Sequence, residues 1–298
     1  MRSVRLLLVL AAALVVLPSC SGRAPLPPRA VELNDAGARA LAAGDLDAAD
    51  ARLSVALEYA PDFVDALVNL GLVELARGNF ERARRLLLRA RRLNPDVAQP
   101  HHALGVLAER ERRPDRASEH YREALAVDPG FVPARANLGR LQFDAGQLDD
   151  AWLTFKKLTE AAPNSPEGPI GLVETLIRLG RATEAAPILR AATARFPNEA
   201  RLTVLDARFH LRAGRTERAR ELLLPLATRH DEVGVTALAW LGVVELVLGR
   251  PREAAGAARR SLDLDPDEPL AAHVLAQALA ALGDPAATAW AERAKLSR

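Results

Sequence analysis

The chain has 298 residues, 49% apolar, 26% charged and only 4% aromatic, a globular composition rich in Ala, Leu and Arg that favours helix and excludes an all-β fold. Forty basic against 38 acidic residues give a net charge of +2. Only Lys156, Lys157 and Lys295 among the forty are lysines, so the Arg excess reads as base-composition bias and carries no functional weight. A single cysteine, Cys20, excludes an internal disulfide framework and a cysteine-based zinc site.

Arg2 and Arg5 precede an unbroken apolar run of twelve residues from Leu6 to Leu17. That is short for a bilayer span and suits the apolar stretch of a secretory signal. The next residues, Leu17-Pro18-Ser19-Cys20, resemble the lipobox of bacterial lipoproteins, with an aliphatic residue three places before Cys and a small one directly before it. The resemblance implies a signal peptide over 1–19 and lipidation of Cys20, with acyl chains anchoring the protein at about 0.8 kcal/mol per buried CH₂. The alternative is ordinary signal cleavage a few residues on, with Cys20 discarded. Export is expected either way, and Ser21 after the cysteine implies an outer-membrane lipoprotein facing the periplasm. Removing 1–19 takes away Arg2 and Arg5 and no acid, so the basic balance belongs to the precursor, and a general attraction to nucleic acid loses its support. Residues 20–29 read as the lipidated cysteine and a Pro-rich, extended tether.

From residue 30 onward the chain repeats itself. Pro61, Pro95, Pro129, Pro163 and Pro197 stand 34 residues apart. Gly44, Gly78, Gly146, Gly180 and Gly214 keep the same phase, as do Gly37, Gly71, Gly105 and Gly139, and Ala49, Ala83, Ala117, Ala151, Ala185 and Ala219. The register slips by one residue near Gly234 and resumes with Gly242, Gly249, Ala254 and Pro266. This pattern resembles the tetratricopeptide repeat: a helix pair with small residues at its eighth and twentieth places, Gly at the turn and Pro near the end. The resemblance implies an all-α, right-handed solenoid of about eight hairpins over 30–296. Its repeats fall at 30–63, 64–97, 98–131, 132–165, 166–199, 200–234, 235–268 and 269–296.

Each marker has a physical reason. Small residues at the eighth and twentieth places let paired helices approach. Gly at the turn takes a positive φ that ends the first helix. Pro stops the second helix, because it lacks an amide hydrogen and bars helical backbone in its predecessor. One hairpin cannot bury its apolar face, so neighbours stack into a curved rod. Departures mark expected irregularities. Pro187 and Pro225 fall inside second helices, Asp231 replaces the repeat's Pro, Gly234 is an extra residue, and Pro166, Gly168 and Pro169 crowd the start of repeat five. A bend or altered stacking is expected between repeats six and seven, and a final packing helix over Pro285–Arg298.

No catalytic constellation stands out: there is no His-Glu-x-x-His, phosphate loop, Gly-x-Ser-x-Gly or cysteine nucleophile in the repeats. His101 and His102 are adjacent and diverge by about 100° on a helix, so they are expected on the surface or in a groove rather than on a metal. No enzyme activity, cofactor, metal, nucleic acid or small-molecule substrate is expected. What remains is recognition. Mapped onto this chain, the family's groove-facing places are Asn69, His102, Asn137, Arg140, Arg178, Arg208 and Arg212, beside Leu72, Phe143, Glu174, Ile177 and Leu246. The asparagines suit a peptide backbone and the arginines suit carboxylates. The pairs Asn34 with Ala38 and His102 with Val106 do not reproduce the carboxylate clamp of some family members. Arg82, Arg85, Arg89 and Arg92 belong to a second helix and are expected on a solvated convex face, with contact to lipid or anionic envelope polymer as a lesser reading.

Lipobox and repeats together resemble the pilotins of type IV pilus secretins, which implies protein partners, a secretin or another envelope assembly component, and a membrane anchor through lipid. Adaptors for peptidoglycan hydrolases or barrel assembly, and subunits of envelope polysaccharide systems, share the architecture.

Overall fold

A computed structural model describes residues 25–296. The apolar leader, Cys20 and the tether up to residue 24, on which the expected lipid anchor rests, lie outside the described residues.

Sixteen helices and no strand occur among the described residues, and they pair into eight hairpins. The first four hairpins are α1 (Pro28–Ala42) with α2 (Leu46–Tyr59), α3 (Val64–Ala76) with α4 (Phe80–Leu93), α5 (Ala98–Arg110) with α6 (Pro114–Val127), and α7 (Val132–Asp144) with α8 (Leu148–Ala161). The others are α9 (Glu167–Arg178) with α10 (Ala182–Arg195), α11 (Ala200–Arg212) with α12 (Thr216–Leu226), α13 (Glu232–Val247) with α14 (Pro251–Leu264), and α15 (Pro269–Ala281) with α16 (Ala287–Leu296). Each second helix also packs on the next hairpin's first helix. Neighbouring first helices touch, α1 with α3 and α5 in one run and α7 through α9, α11, α13 and α15 in another, whereas neighbouring second helices do not pack together. The rod therefore curves with its first helices on the inner, concave side.

The markers of the repeat do the work expected of them. Gly44, Gly78, Gly146, Gly180, Gly214, Gly249 and Gly283 close the hairpin turns with φ between +72° and +80°. The third hairpin puts Arg112 there instead, at φ +59°, a left-handed conformation that strains a residue with a Cβ. The residue before each of Pro61, Pro95, Pro129, Pro163, Pro197 and Pro266 is a helix C-cap with φ from −123° to −146°, the extended backbone that a following proline enforces. Within hairpins a glycine of the first helix receives a large side chain of the second. A Cβ on Gly105 would lie 2.4 Å from the Tyr121 ring, and one on Gly71 2.7 Å from Leu87.

The irregular places are local. Pro225 sits one residue from the end of α12, which has 11 residues against 14 in α10 and α14. α10 runs through Pro187 without a break. α13 begins at Glu232, three residues ahead of the boundary expected at 235. Asp231 explains the early start: its carboxylate accepts from the Gly234 amide at 3.0 Å and caps the helix. Ion pairing with Arg229 and that cap hold the Asp231 carboxyl at about 2. Gly234 is required at that place, since a Cβ there would sit 2.3 Å from the Arg229 carbonyl oxygen. At the start of repeat five, α9 opens with Pro166 as its N-cap, and Gly168 lies against the Thr159 backbone. α16 closes the stack, with Trp290 packed onto the apolar face of α14 and α15.

Candidate functional site

The inner wall of the rod is a set of columns, because a residue at a given place recurs one hairpin on. The ninth place reads Ala38, Leu72 and Val106 in the first three hairpins, then Arg140, Glu174 and Arg208 in the next three. Apolar side chains thus give way to charges of alternating sign along α7, α9 and α11.

In the first four hairpins the polar groups of the wall are used between neighbours. The Asn69 side-chain amide donates to the Asn34 oxygen at 2.9 Å, joining α3 to α1. Asn137 on α7 donates to His102 Nε2 at 3.2 Å and to the Tyr121 hydroxyl at 3.1 Å. Tyr121 in turn donates to Glu109 Oε1 at 2.6 Å, and Arg140 donates to the other Glu109 oxygen. The His102 ring lies 5.5 Å from Tyr121 and 5.6 Å from Phe131, centre to centre. Burial there lowers its pKa to about 4, so the ring is neutral and its Nε2 lone pair is available to Asn137. Burial first, and then Glu109, push the Tyr121 phenol upward. Arg178 donates to the Phe143 carbonyl at 2.8 Å, and its guanidinium lies 4.9 Å from the Phe143 ring centre. Asn69, His102, Asn137, Arg140 and Arg178 therefore all bond across hairpins in the uncomplexed chain.

From α9 onward the wall changes character. Arg208 is partly buried, lies 4.6 Å from the Trp240 ring centre, and has no hydrogen bond or ion pair with any other described residue. Glu174, also partly buried, has none either. Burial lowers the pKa of Arg208 and raises that of Glu174, in each case against the mutual attraction of the two. Both are pushed toward their neutral forms. A cavity of about 310 Å³ opens here, lined by Arg140, Asp144, Glu174, Arg201, Arg208 and Thr236 among others. An adjoining slot of about 180 Å³ shares Arg208 and is otherwise lined mainly by Ile177, Phe209, Leu211, Arg212 and Trp240. Arg212 is exposed and pairs with no carboxylate.

Two placements differ from expectation or were not foreseen. His101 is buried rather than on the surface or in the groove, with Nδ1 3.2 Å from Glu123 Oε2 and Nε2 3.1 Å from the Pro95 carbonyl. Its neighbour His102 turns about 100° away from it and faces into the wall, as adjacent helical residues diverge. Trp240 was not singled out, although it occupies the sixth place, that of Asn69 and Asn137. The one-residue slip near Gly234 moves it out of the 34-residue spacing. Among the described residues no group of three or more His, Cys, Asp or Glu side chains gathers as a metal site. On α4, Arg82 pairs with Glu74 and Arg89 with Asp62, while Arg85 and Arg92 are exposed without a carboxylate.

A profile of the tetratricopeptide repeat family matches residues 40–107, 108–169 and 176–241, and a second profile of the same repeat matches 240–297. The chain belongs to the tetratricopeptide repeat family. This tetratricopeptide repeat protein is 35% identical over 101 residues to the type IV pilus assembly protein PilF of Pseudomonas aeruginosa, a match spanning 34% of this chain and 39% of that one. It is 27% identical over 259 residues to cellulose synthase operon protein C of Xanthomonas axonopodis, spanning 70% of this chain but only 17% of the relative. The chain thus spans well under half the length of these relatives. Among solved structures, Pseudomonas aeruginosa PilF superposes with a TM-score of 0.58 at 21% identity, over 72% of this chain and 97% of that one. A tetratricopeptide repeat protein from Parabacteroides merdae gives 0.63 at 18% identity, over 85% and 100%. The two superpositions establish a shared fold.

Proposed function

We propose that this protein is a lipid-anchored, non-catalytic scaffold that faces the periplasm from the outer membrane and holds an envelope protein in its concave groove. We place its partner in type IV pilus assembly, in the role of a secretin pilotin. The observation that carries this reading is the 35% identity with a type IV pilus assembly protein. The leader with Cys20 at its lipobox is consistent with a scaffold tethered where secretins assemble. Mechanistically, a rod whose inner wall is already tied together between hairpins orders little of itself on binding, so more of the contact energy appears as affinity. The groove needs no cofactor for this, and its charges suit protein side chains rather than nucleic acid or a small substrate.

A second reading has its own support. The matches to cellulose synthase operon protein C cover 57% and 70% of this chain, which favours a scaffold for envelope polysaccharide export. Deleting the gene separates the two. The pilotin reading expects loss of secretin multimers from the outer membrane and of surface pili, restored by the wild-type chain and not by Cys20→Ser. Normal multimers and pili with reduced extracellular polysaccharide would overturn it in favour of the second.

A further inference from the structure

Most charges on the groove wall between α7 and α13 are closed by partners within the chain. Arg140 bonds Glu109, Arg201 bonds Glu167 and Glu199, and Arg178 bonds the Phe143 carbonyl. Among the partly buried charges there, Arg208 and Glu174 are the exceptions, since neither hydrogen-bonds or ion-pairs with any described residue. Taking a charge out of water without a partner is costly, and such groups are ordinarily paired. These two lie at the same place of consecutive hairpins and face one cavity of about 310 Å³. The Arg208 guanidinium lies over the Trp240 ring, 4.6 Å from its centre, and a guanidinium held on a ring face keeps its N–H donors available to a bidentate acceptor. The Trp240 indole N–H also has no acceptor among the described residues. Beside it opens the slot of Ile177, Phe209 and Trp240.

We propose that Arg208 and Glu174 are the two poles of a docking site for an extended segment of a protein partner. A carboxylate of that segment seats on Arg208, a large apolar side chain next to it enters the slot beside Trp240, and a cationic or amide side chain on its other side meets Glu174. Packed helix axes lie roughly 8–10 Å apart, which a segment in polyproline II conformation, at about 3.1 Å per residue and three residues per turn, covers in three residues with its first and fourth side chains on the same face. The partner motif is therefore a basic or amide residue, two intervening residues, an acid, and then an apolar residue, read in either direction. This inference rests on the reading of the groove as the partner site.

The test is a displayed library of random twelve-residue peptides, selected on the full chain purified in detergent. Enrichment of the motif supports the proposal. It also expects Arg208→Gln to weaken the selected peptides roughly tenfold to a hundredfold, and Trp240→Ala to remove the preference for an apolar neighbour. The exchange Glu174→Arg with Arg208→Glu keeps the net charge and should select the motif with its charges reversed. Circular dichroism melts of each variant confirm folding, and Arg208→Lys, which keeps the charge, should retain part of the affinity. Peptides enriched without that charge pattern, or bound equally by the exchanged chain, would overturn this inference and leave the groove reading standing. Failure to enrich any peptide would overturn both.

Discussion

The first four hairpins and the next three are built on the same repeat, yet they use their inner-wall polar groups differently. From α1 to α7 several such groups reach a neighbour, as in Asn34 with Asn69, and in the chain from His102 through Asn137 and Tyr121 to Glu109 and Arg140. From α9 to α13 the wall keeps Glu174, Arg208 and the Trp240 N–H without acceptors or donors among the described residues. The first arrangement ties hairpins into a rigid rod. The second leaves interaction capacity for something outside it. Charge alone therefore does not separate the groove residues that tie hairpins together from those proposed to meet a partner.

The most severe way to break the tied half is to force its packing apart. Gly105→Val introduces a Cβ that would meet the Tyr121 ring at 2.4 Å, and is expected to cost about 3 kcal/mol, read by thermal unfolding. pH comes next, with opposite signs in the two halves. The His102 pKa is depressed to about 4 in the folded chain against 6.5 unfolded. The unfolded chain therefore takes up the proton first, and stability falls as pH drops from about 6.5 toward about 4. His102→Leu should flatten that part of the melting profile. The Glu174 carboxyl is raised by burial, so its ionisation penalises the fold as pH rises past 4.5. Glu174→Gln should stabilise at pH 7, and the gain should vanish below about pH 4.

A sharper comparison sets one arginine against another. Arg140→Leu strips Glu109 of its cation and is expected to cost about 1 kcal/mol, since the pair is half exposed. Arg208→Leu removes a partly buried cation that has no hydrogen bond or close ion pair among the described residues, and should be neutral or stabilising in a denaturant melt. A larger loss at Arg208 than at Arg140 would erase the distinction between the halves. The smallest effect belongs to the third turn: Arg112→Gly relieves a left-handed arginine and should add roughly 0.5–1 kcal/mol.

The hairpins were legible in the sequence because prolines and turn glycines act on the backbone next to them. Pro61 through Pro197 each fix the residue before them as extended, whatever the rest of the chain does. The eighth-place glycines were equally readable, since their partners lie 16 residues on within one hairpin, as Gly105 with Tyr121. The groove was legible as a set of positions but not in its bonding. That Asn69 gives its amide to Asn34, or that Arg178 bonds the Phe143 carbonyl, depends on distances between hairpins that no local signal carries. Trp240 was hidden by the one-residue slip, and the start of α13 by an aspartate cap acting where a proline stop was expected.

The alternating signs of Arg140, Glu174 and Arg208 also bear on alignment. A rod of near-identical units invites a bound strand to slide by one unit, because each offers similar walls. Here such a slip brings an acidic side chain from a guanidinium to face another carboxylate, or carries it past Arg208 onto the aliphatic Val243. On the proposed docking mode the three residues act as a ratchet tooth, allowing a cargo one resting position along the rod and making its neighbours repulsive or dry.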